Sequence, residues 1–164
     1  MTITRPYISR VTGRTPGSGP VVAVLTDGPT DMAVAAHAAD LAARSGTLLI
    51  AAAAVHNTGF SLNALLCHAR NQRLHADSIA IVGRVTPILH TAGVAWMRST
   101  LLLPAGTDAL RAVPITALQQ LVNRYGAVAV VTALPLSDPT GLLHPAERHP
   151  GAPANTATDR HATF

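Results

Sequence analysis

Short apolar runs alternate with stretches of helical periodicity along the chain. Val21 to Thr26 is a nearly continuous apolar run, and the residues from about Thr30 to Arg44 place alanine and valine at helical spacing. A second apolar run, "TLLIAAAAV" at 47–55, follows directly. This order predicts a buried strand, a turn at Asp27, a helix and a second buried strand.

The longest amphipathic pattern extends from about Ser61 to Ala92. Its apolar positions recur every three or four residues, while arginine, glutamine and aspartate occupy the other positions. The pattern therefore predicts a long surface helix. Pro87 lies inside it and is expected to kink or break the helix near Thr86, because proline lacks a backbone donor and its ring crowds the preceding turn.

Two more strands and one more helix follow. Residues 94–103 form an apolar run that contains Arg98, and a charged residue inside a strand indicates an edge position. The segment "ITALQQLVNRY" predicts a helix that ends at Gly126, and 127–134 predicts a fourth strand. No further apolar strand pattern appears after Leu134, and the core is expected to end near Leu143.

The alternation of strands and helices predicts an α/β fold, a three-layer sandwich with a mainly parallel sheet of four or five strands. Residues 21–143 would form this domain. Residues 1–20, rich in Pro, Gly, Ser and Thr with three arginines, are predicted to be a flexible basic arm, and 144–164 a disordered tail. Sheets of this kind bind ligands beyond the carboxyl ends of their strands, which is where Asp27, His56 and Asp138 would lie.

Composition narrows the functional classes. The 12 basic residues are all arginine, so a Walker A lysine, a Schiff base and a Ser-Lys dyad are excluded. The single cysteine, Cys67, excludes an internal disulfide. The scattered arginines leave nucleic-acid binding possible but not favoured. With no apolar run long enough for a membrane span or signal peptide, no membrane association and a cytoplasmic location are expected.

The chain resembles the universal stress protein family. The stretch "VAVLTDGPTDMAVAAHAADLAARSGTLLIAAAAVH" is similar to the first strand, Asp-Gly turn, first helix and second strand of that family. The resemblance continues through "RVTPILHTAGV" and "ALQQLVNRYGAVAVVTALPLS", the latter similar to the helix and strand that lead into the family's phosphate loop. It covers roughly residues 20 to 137 and implies the topology of adenine nucleotide alpha hydrolase-like folds.

The resemblance also implies a nucleotide-type pocket, with Asp27 facing the nucleoside. The residues expected around it are Thr26, Asp27, Gly28, Val55, His56, Asp138 and Gly141. The family's phosphate loop has the pattern G-x2-G-x9-G-[ST]; here Asp138 replaces the first glycine, Gly141 and Gly151 match, and Ala152 replaces the last residue. A carboxylate at 138, with Pro145 and Pro150 in the loop, disfavours phosphate binding.

These features predict a non-enzymatic, stress-related regulatory or protein-interaction domain that does not bind ATP efficiently. A homodimer, an unknown protein partner and no cofactor or metal are expected. The family's last helix and fifth strand, through which many members dimerise, have no counterpart in "PANTATDRHATF". Two alternatives remain: an adenine-nucleotide-binding protein, with ATP or AMP as ligand, and an RNA- or ribosome-associated protein that uses the basic arm.

Overall fold

The structure, a computed structural model, describes residues 5–56, 63–104, 106–144 and 147–148, the last two by their backbone only. Six strands and three helices lie in these ranges: β1 (Tyr7–Arg10), β2 (Val21–Leu25), α1 (Asp31–Ser45), β3 (Leu49–His56), α2 (Ala64–Ala92), β4 (Trp96–Leu103), α3 (Ile115–Tyr125), β5 (Ala129–Thr132) and β6 (Glu147–Arg148). The predicted elements between residues 21 and 134 are thus all present, with ends that differ by a few residues.

The strands form one sheet in the order β4-β3-β2-β5-β1-β6. The four strands expected from the sequence pair in parallel, β3 with β4, β2 with β3 and β2 with β5. Helices α1 and α2 pack on one face of this sheet and α3 packs on the other. The predicted three-layer α/β fold with a mainly parallel sheet is confirmed, and two antiparallel strands extend it.

Small side chains allow the layers to pack closely. Strand β3 is buried on both faces through seven of its eight residues, four of which are consecutive alanines. On α1 the residues that face the sheet are mostly alanine as well, which brings the helix close to the sheet. Leucine and valine then fill the remaining space, with Leu25, Leu49 and Leu89 among the fully buried side chains.

The N-terminal segment is not the flexible arm that its composition predicts. Tyr7–Arg10 forms β1, which pairs antiparallel with β5 from Tyr7 opposite Thr132 to Arg10 opposite Ala129. Ile8 and Val11 are buried. The prediction is wrong for this segment because a four-residue strand whose partner lies more than a hundred residues later leaves no local periodicity. Strand β1 covers the edge of β5 that the sequence left open.

The segment between β1 and β2 is also attached to the domain. The Arg14 guanidinium donates to the carbonyl oxygens of Val122 and Ala127, at 3.1 and 2.6 Å, and so satisfies acceptors at the end of α3. A Cβ at Gly19 would overlap the carbonyl oxygen of Gly126, so only glycine allows this close approach of two backbones.

Helix α2 continues through Pro87, where the sequence predicts a kink or a break. The proline removes one hydrogen bond, to the carbonyl of Gly83, but Pro87 and Gly83 are both exposed, so water can solvate that carbonyl. Gly83 also has no side chain near the proline ring. The Thr86 hydroxyl donates to the carbonyl of Val82 at 3.0 Å in the same turn.

The residues after β5 return along the α3 face of the sheet and end beside β1. Leu143 is buried and forms an isolated bridge with Val11, and the backbone amide of His144 donates to the carbonyl of Arg10 at 2.8 Å. Glu147–Arg148 then pairs with Tyr7 and Ile8 as β6. The prediction of a disordered tail from 144 onward is therefore wrong at its start, because His144 and Glu147–Arg148 bond to β1. Residues 149–164 lie outside the described residues.

Strand β4 is the edge of the sheet that the position of Arg98 predicts. In the part of the chain that the structure describes, no helix combines the length and apolar character needed to cross a bilayer.

Candidate functional site

The carboxyl ends of β2, β3 and β5 meet at one rim of the sheet. Strand β2 lies between β3 and β5, and the chain leaves β2 through α1 on one face while it enters β5 from α3 on the other. The rim beside β2 is therefore a topological switch point, the position where open α/β sheets form a crevice.

Two adjoining cavities lie at this rim. The first, of about 350 Å³, is mainly apolar and is lined by Val24, Thr26, Pro29, Thr30, Ala109, Leu110, Val113, Thr132, Ala133 and Leu134. The second, of about 520 Å³, is more polar and is lined by Thr26, Asp27, Ala54, Val55, His56, Asp77, Ala80, Ile81, Arg84, Asp108, Ala109 and Leu110. Thr26, Ala109 and Leu110 line both. Each volume is in the range of small-molecule sites.

The turn after β2 has an unusual backbone at Asp27, whose φ is +61°. Among the non-glycine residues, aspartate and asparagine tolerate this left-handed conformation best. A Cβ at Gly28 would lie 2.7 Å from Cδ2 of Leu110, so the glycine leaves room for the leucine that separates the two cavities. The Asp-Gly pair at 27 and 28 therefore shapes the wall of the cleft.

An ion-pair cluster joins this turn to both helices of the first layer. The Arg84 guanidinium, on α2, lies 2.8 Å from Oδ1 of Asp27 and 3.1 Å from Oδ2 of Asp31, the first residue of α1. Arg84 and Asp27 are half or more exposed, whereas Asp31 is buried. Oδ1 of Asp31 also accepts the backbone amide of Thr26 at 2.9 Å. Asp31 thus holds the start of the turn, and Arg84 links the turn to α2.

Burial dominates the electrostatics of Asp31 and raises the pKa of its carboxyl above 3.8. The hydrogen bond from the amide of Thr26 and the positive charge of Arg84 stabilise the ionised carboxylate, so they lower the pKa and partly offset the effect of burial.

The other side of the cleft is formed by the end of β3 and the loop after β4. The His56 ring is exposed, and its Nε2–H donates to the carbonyl oxygen of Thr107. Asp108 accepts the amide of Leu110 at 3.0 Å and pairs with Arg111 at 3.3 Å. His56 therefore binds the loop that carries Asp108 and Leu110.

The structure brings Thr26, Asp27, Val55 and His56 together on the second cavity, with Gly28 in the adjoining turn, as the sequence predicts. It does not bring Asp138 and Gly141 there, since neither lines a rim cavity. They lie in the loop that returns along the α3 face, where the Thr12 hydroxyl donates to the carbonyl of Gly141 at 2.6 Å. The expected rim pair of Asp27 and Asp138 does not form because this loop folds toward α3 and β1.

Asp138 is bound within its own loop. Its oxygens accept the backbone amides of Thr140 at 2.9 Å and Leu143 at 2.8 Å, the Thr140 hydroxyl at 2.7 Å and the Gln119 side-chain amide at 3.0 Å. These hydrogen bonds, that of the Thr140 hydroxyl above all, lower the pKa of Asp138 to about 2. The carboxylate is therefore ionised at neutral pH and occupies amides that an external anion would need.

Sequence reasoning did not identify Asp31 and Arg84 as site residues. Asp31 is the first residue of a predicted helix, where an acidic residue is ordinary. Arg84 is one of several arginines on the predicted long helix, and no local pattern selects it as the one that reaches Asp27 and Asp31. The only signal was the four-residue spacing of the two aspartates across the helix start.

The pKa values of Asp31 and Asp138 should differ from the ordinary value of 3.8 in opposite directions. In a carbon-13 NMR titration of the side-chain carboxyls, we expect the midpoint of Asp138 near pH 2 and that of Asp31 above 3.8. Asp138 therefore contributes stability that is present above pH 3.8 and is lost as the pH falls toward 2. A midpoint for Asp138 at or above 3.8 would contradict the hydrogen bonds described for its loop.

The fold and the rim together define a doubly wound α/β domain with a two-part cleft at its switch point.

No family model and no curated protein matches the chain. Among solved structures, a universal stress protein family member from Burkholderia pseudomallei is 17% identical, with 70% of this chain and 80% of that chain covered and a TM-score of 0.43. A universal stress protein in complex with cAMP is 18% identical, with 70% and 75% covered and a TM-score of 0.48. Both belong to the family that the sequence resembles.

Proposed function

We propose that this protein is a non-enzymatic, stress-related regulatory or protein-interaction domain that does not bind ATP efficiently. The observation that carries the proposal is the loop after β5, in which the Asp138 carboxylate accepts the backbone amides of Thr140 and Leu143. Backbone amides in such loops are what phosphate oxygens bind. An internal anion that already occupies them excludes a phosphate from the same donors.

The charge of the rim supports the proposal. Asp27, Asp77 and Asp108 line the second cavity, where Arg84 is the one arginine among the described lining residues. That guanidinium already contacts Asp27 and Asp31. A triphosphate would have to displace these carboxylates or lie among them, and either arrangement opposes binding of a polyanion.

Isothermal titration calorimetry with ATP, ADP and AMP tests the proposal. We expect no binding with a dissociation constant tighter than about 1 mM, since each arginine that the structure describes beside the second cavity, Arg84 and Arg111, is already paired to a carboxylate. Any nucleotide that does bind is then titrated into Asp27→Asn, a substitution that keeps a residue tolerated at positive φ. Micromolar binding by the native chain that is lost in Asp27→Asn would overturn the proposal.

One observation favours the adenine-nucleotide alternative. Thr26, Asp27, Val55 and His56 do lie together on a cavity of about 520 Å³ that adjoins an apolar cavity large enough for a ring. Under this alternative ATP or AMP binds at the rim, and the calorimetric experiment above decides between the two. The RNA-associated alternative has no comparable support, because the segment meant to bind RNA is folded against β5 and its Arg14 is bonded to the end of α3.

A further inference from the structure

Strand β4 has an outer edge with free hydrogen-bonding groups. In its parallel pairing with β3, Leu49 lies opposite Trp96, and the amide of Leu49 donates to the carbonyl of Ala95. Odd-numbered residues of β4 therefore direct their amides and carbonyls to β3, and even-numbered residues direct theirs outward. The outward residues are Trp96, Arg98, Thr100 and Leu102. Within the described residues none of their backbone groups meets a hydrogen-bonding partner.

The other edge of the sheet is much shorter. Strand β1 covers β5, and the strand beyond it, β6, has two residues. The described structure thus has one long edge of eight residues without a proline. A single such edge per molecule favours a closed pair, because edge-to-edge pairing of two copies leaves no second long edge from which a fibre could grow.

We propose that two copies of this chain pair antiparallel through β4, about a twofold axis that passes beside Ser99. In this register Trp96 lies opposite Leu102 of the second copy and Arg98 lies opposite its Thr100, so each of the four outward residues finds an outward partner. Four hydrogen-bonded pairs with two bonds each give eight new backbone bonds. An axis at Thr100 gives three pairs, since Trp96 would then meet Pro104, which has no amide to donate.

The side chains at this edge fit the same register. Three large apolar residues are between 37% and 48% exposed, which is high for apolar side chains: Met97 and Leu102 on β4, and Ile79 on helix α2. Met97 would lie opposite Leu101 of the second copy, and Leu101 lines a cavity of about 230 Å³ between β4 and α3. Each Met97 side chain can enter the cavity of the other copy. The two Arg98 side chains are diagonal neighbours on the same face, about 7 to 8 Å apart at the backbone, and each directly faces Thr100 of the other copy.

The available area is sufficient for a stable dimer. Eight residues of strand extend about 26 Å, and the helix, sheet and helix layers beside it are roughly 20 to 30 Å thick. The edge then offers on the order of 500 to 800 Å² per copy, or about 1,000 to 1,600 Å² in total, which reaches the size of specific interfaces. This inference rests on the proposed function, because it takes the protein to act through protein contacts. It names a second copy of the chain as the partner.

Analytical ultracentrifugation of the full chain tests the dimer, with Thr100 as the variable position. The amide of Thr100 points outward, so Thr100→Pro removes a donor from the new interface without removing a bond to β3. Thr100→Ala is the matched control, because both variants lose the hydroxyl that donates to Ser78. We expect the native chain and Thr100→Ala to be dimeric at concentrations on the order of 50 μM, and Thr100→Pro to dissociate at least about tenfold more readily.

Amide hydrogen exchange supplies a second measurement that needs no variant. The amides of Trp96, Arg98, Thr100 and Leu102 should become protected as the protein concentration rises, while the amides of Met97, Ser99, Leu101 and Leu103, bonded to β3, are protected at every concentration. A monomeric native chain, equal association by the two Thr100 variants, or outer amides that exchange independently of concentration would each overturn the proposal. Nucleotide binding would overturn the proposed function and leave this interface unaffected.

Discussion

Deletion of residues 1–12 is expected to lower the free energy of unfolding by about 3 kcal/mol or more. The deletion removes β1 with its four-residue ladder to β5, and with it the buried side chains of Ile8 and Val11. Burial of such a side chain contributes about 1.5 to 3 kcal/mol, which the ordering entropy of the short segment offsets only in part. The loss is large for a domain whose total stability is roughly 5 to 15 kcal/mol. Urea denaturation followed by circular dichroism measures it.

The matched control is deletion of residues 1–5, which leaves β1 intact and removes an exposed arginine, Arg5. Its stability should equal that of the full chain within about 0.5 kcal/mol. The longer deletion should also expose the edge of β5 and increase aggregation. If both deletions left stability unchanged, residues 7–10 would be the flexible arm that their composition predicts.

Substitution of Asp31 by alanine is expected to destabilise the domain by about 2 to 3 kcal/mol. Asp31 is buried and accepts the backbone amide of Thr26 through one oxygen while it pairs with Arg84 through the other. Loss of a hydrogen bond to a charged group, with a backbone donor left unsatisfied, accounts for this magnitude. The side chain of Arg84 is 51% exposed, so water solvates the arginine that remains and the larger penalty for a buried unpaired charge does not apply.

Asp27→Asn is the control, because Asp27 contacts the same guanidinium from an exposed position. A change within about 1 kcal/mol is expected there. The pH adds a second check: because the pKa of Asp31 is raised in the folded state, its contribution is complete below pH 3.8 and declines as the pH rises through the raised value. The difference in free energy of unfolding between the native chain and Asp31→Ala should therefore increase from pH 7 toward pH 4. Equal effects of the two substitutions would contradict the buried role of Asp31.

Much of the fold could be predicted from local patterns. The apolar runs at 21–26 and 47–55 became β2 and β3, and the helical spacing at 30–44 became α1, with ends that differ by one or two residues. Arg98 correctly marked an edge strand. These elements are predictable because each buries a continuous run or a regular stripe, so the sequence records their period directly.

The candidate site was predictable only in part. Residues that follow a strand directly, such as Asp27 and His56, lie at the rim because all parallel strands end there. Asp138 follows β5 by six residues, and over that distance a loop can fold in either direction. The hydrogen bonds of Asp138 to Thr140 and Gln119, rather than its distance along the chain, determine where the carboxylate lies.

The sequence by itself therefore determined the layer architecture, the parallel core of the sheet and the rim that carries Asp27. Only the tertiary structure decided that residues 7–10 complete the sheet, that Arg84 is the partner of Asp27 and Asp31, and that Asp138 binds the amides of its own loop. The physical reason is the range of the interactions. Periodic burial acts between neighbours a few residues apart, whereas strand pairing and ion pairs join residues that the chain brings together only when it has folded.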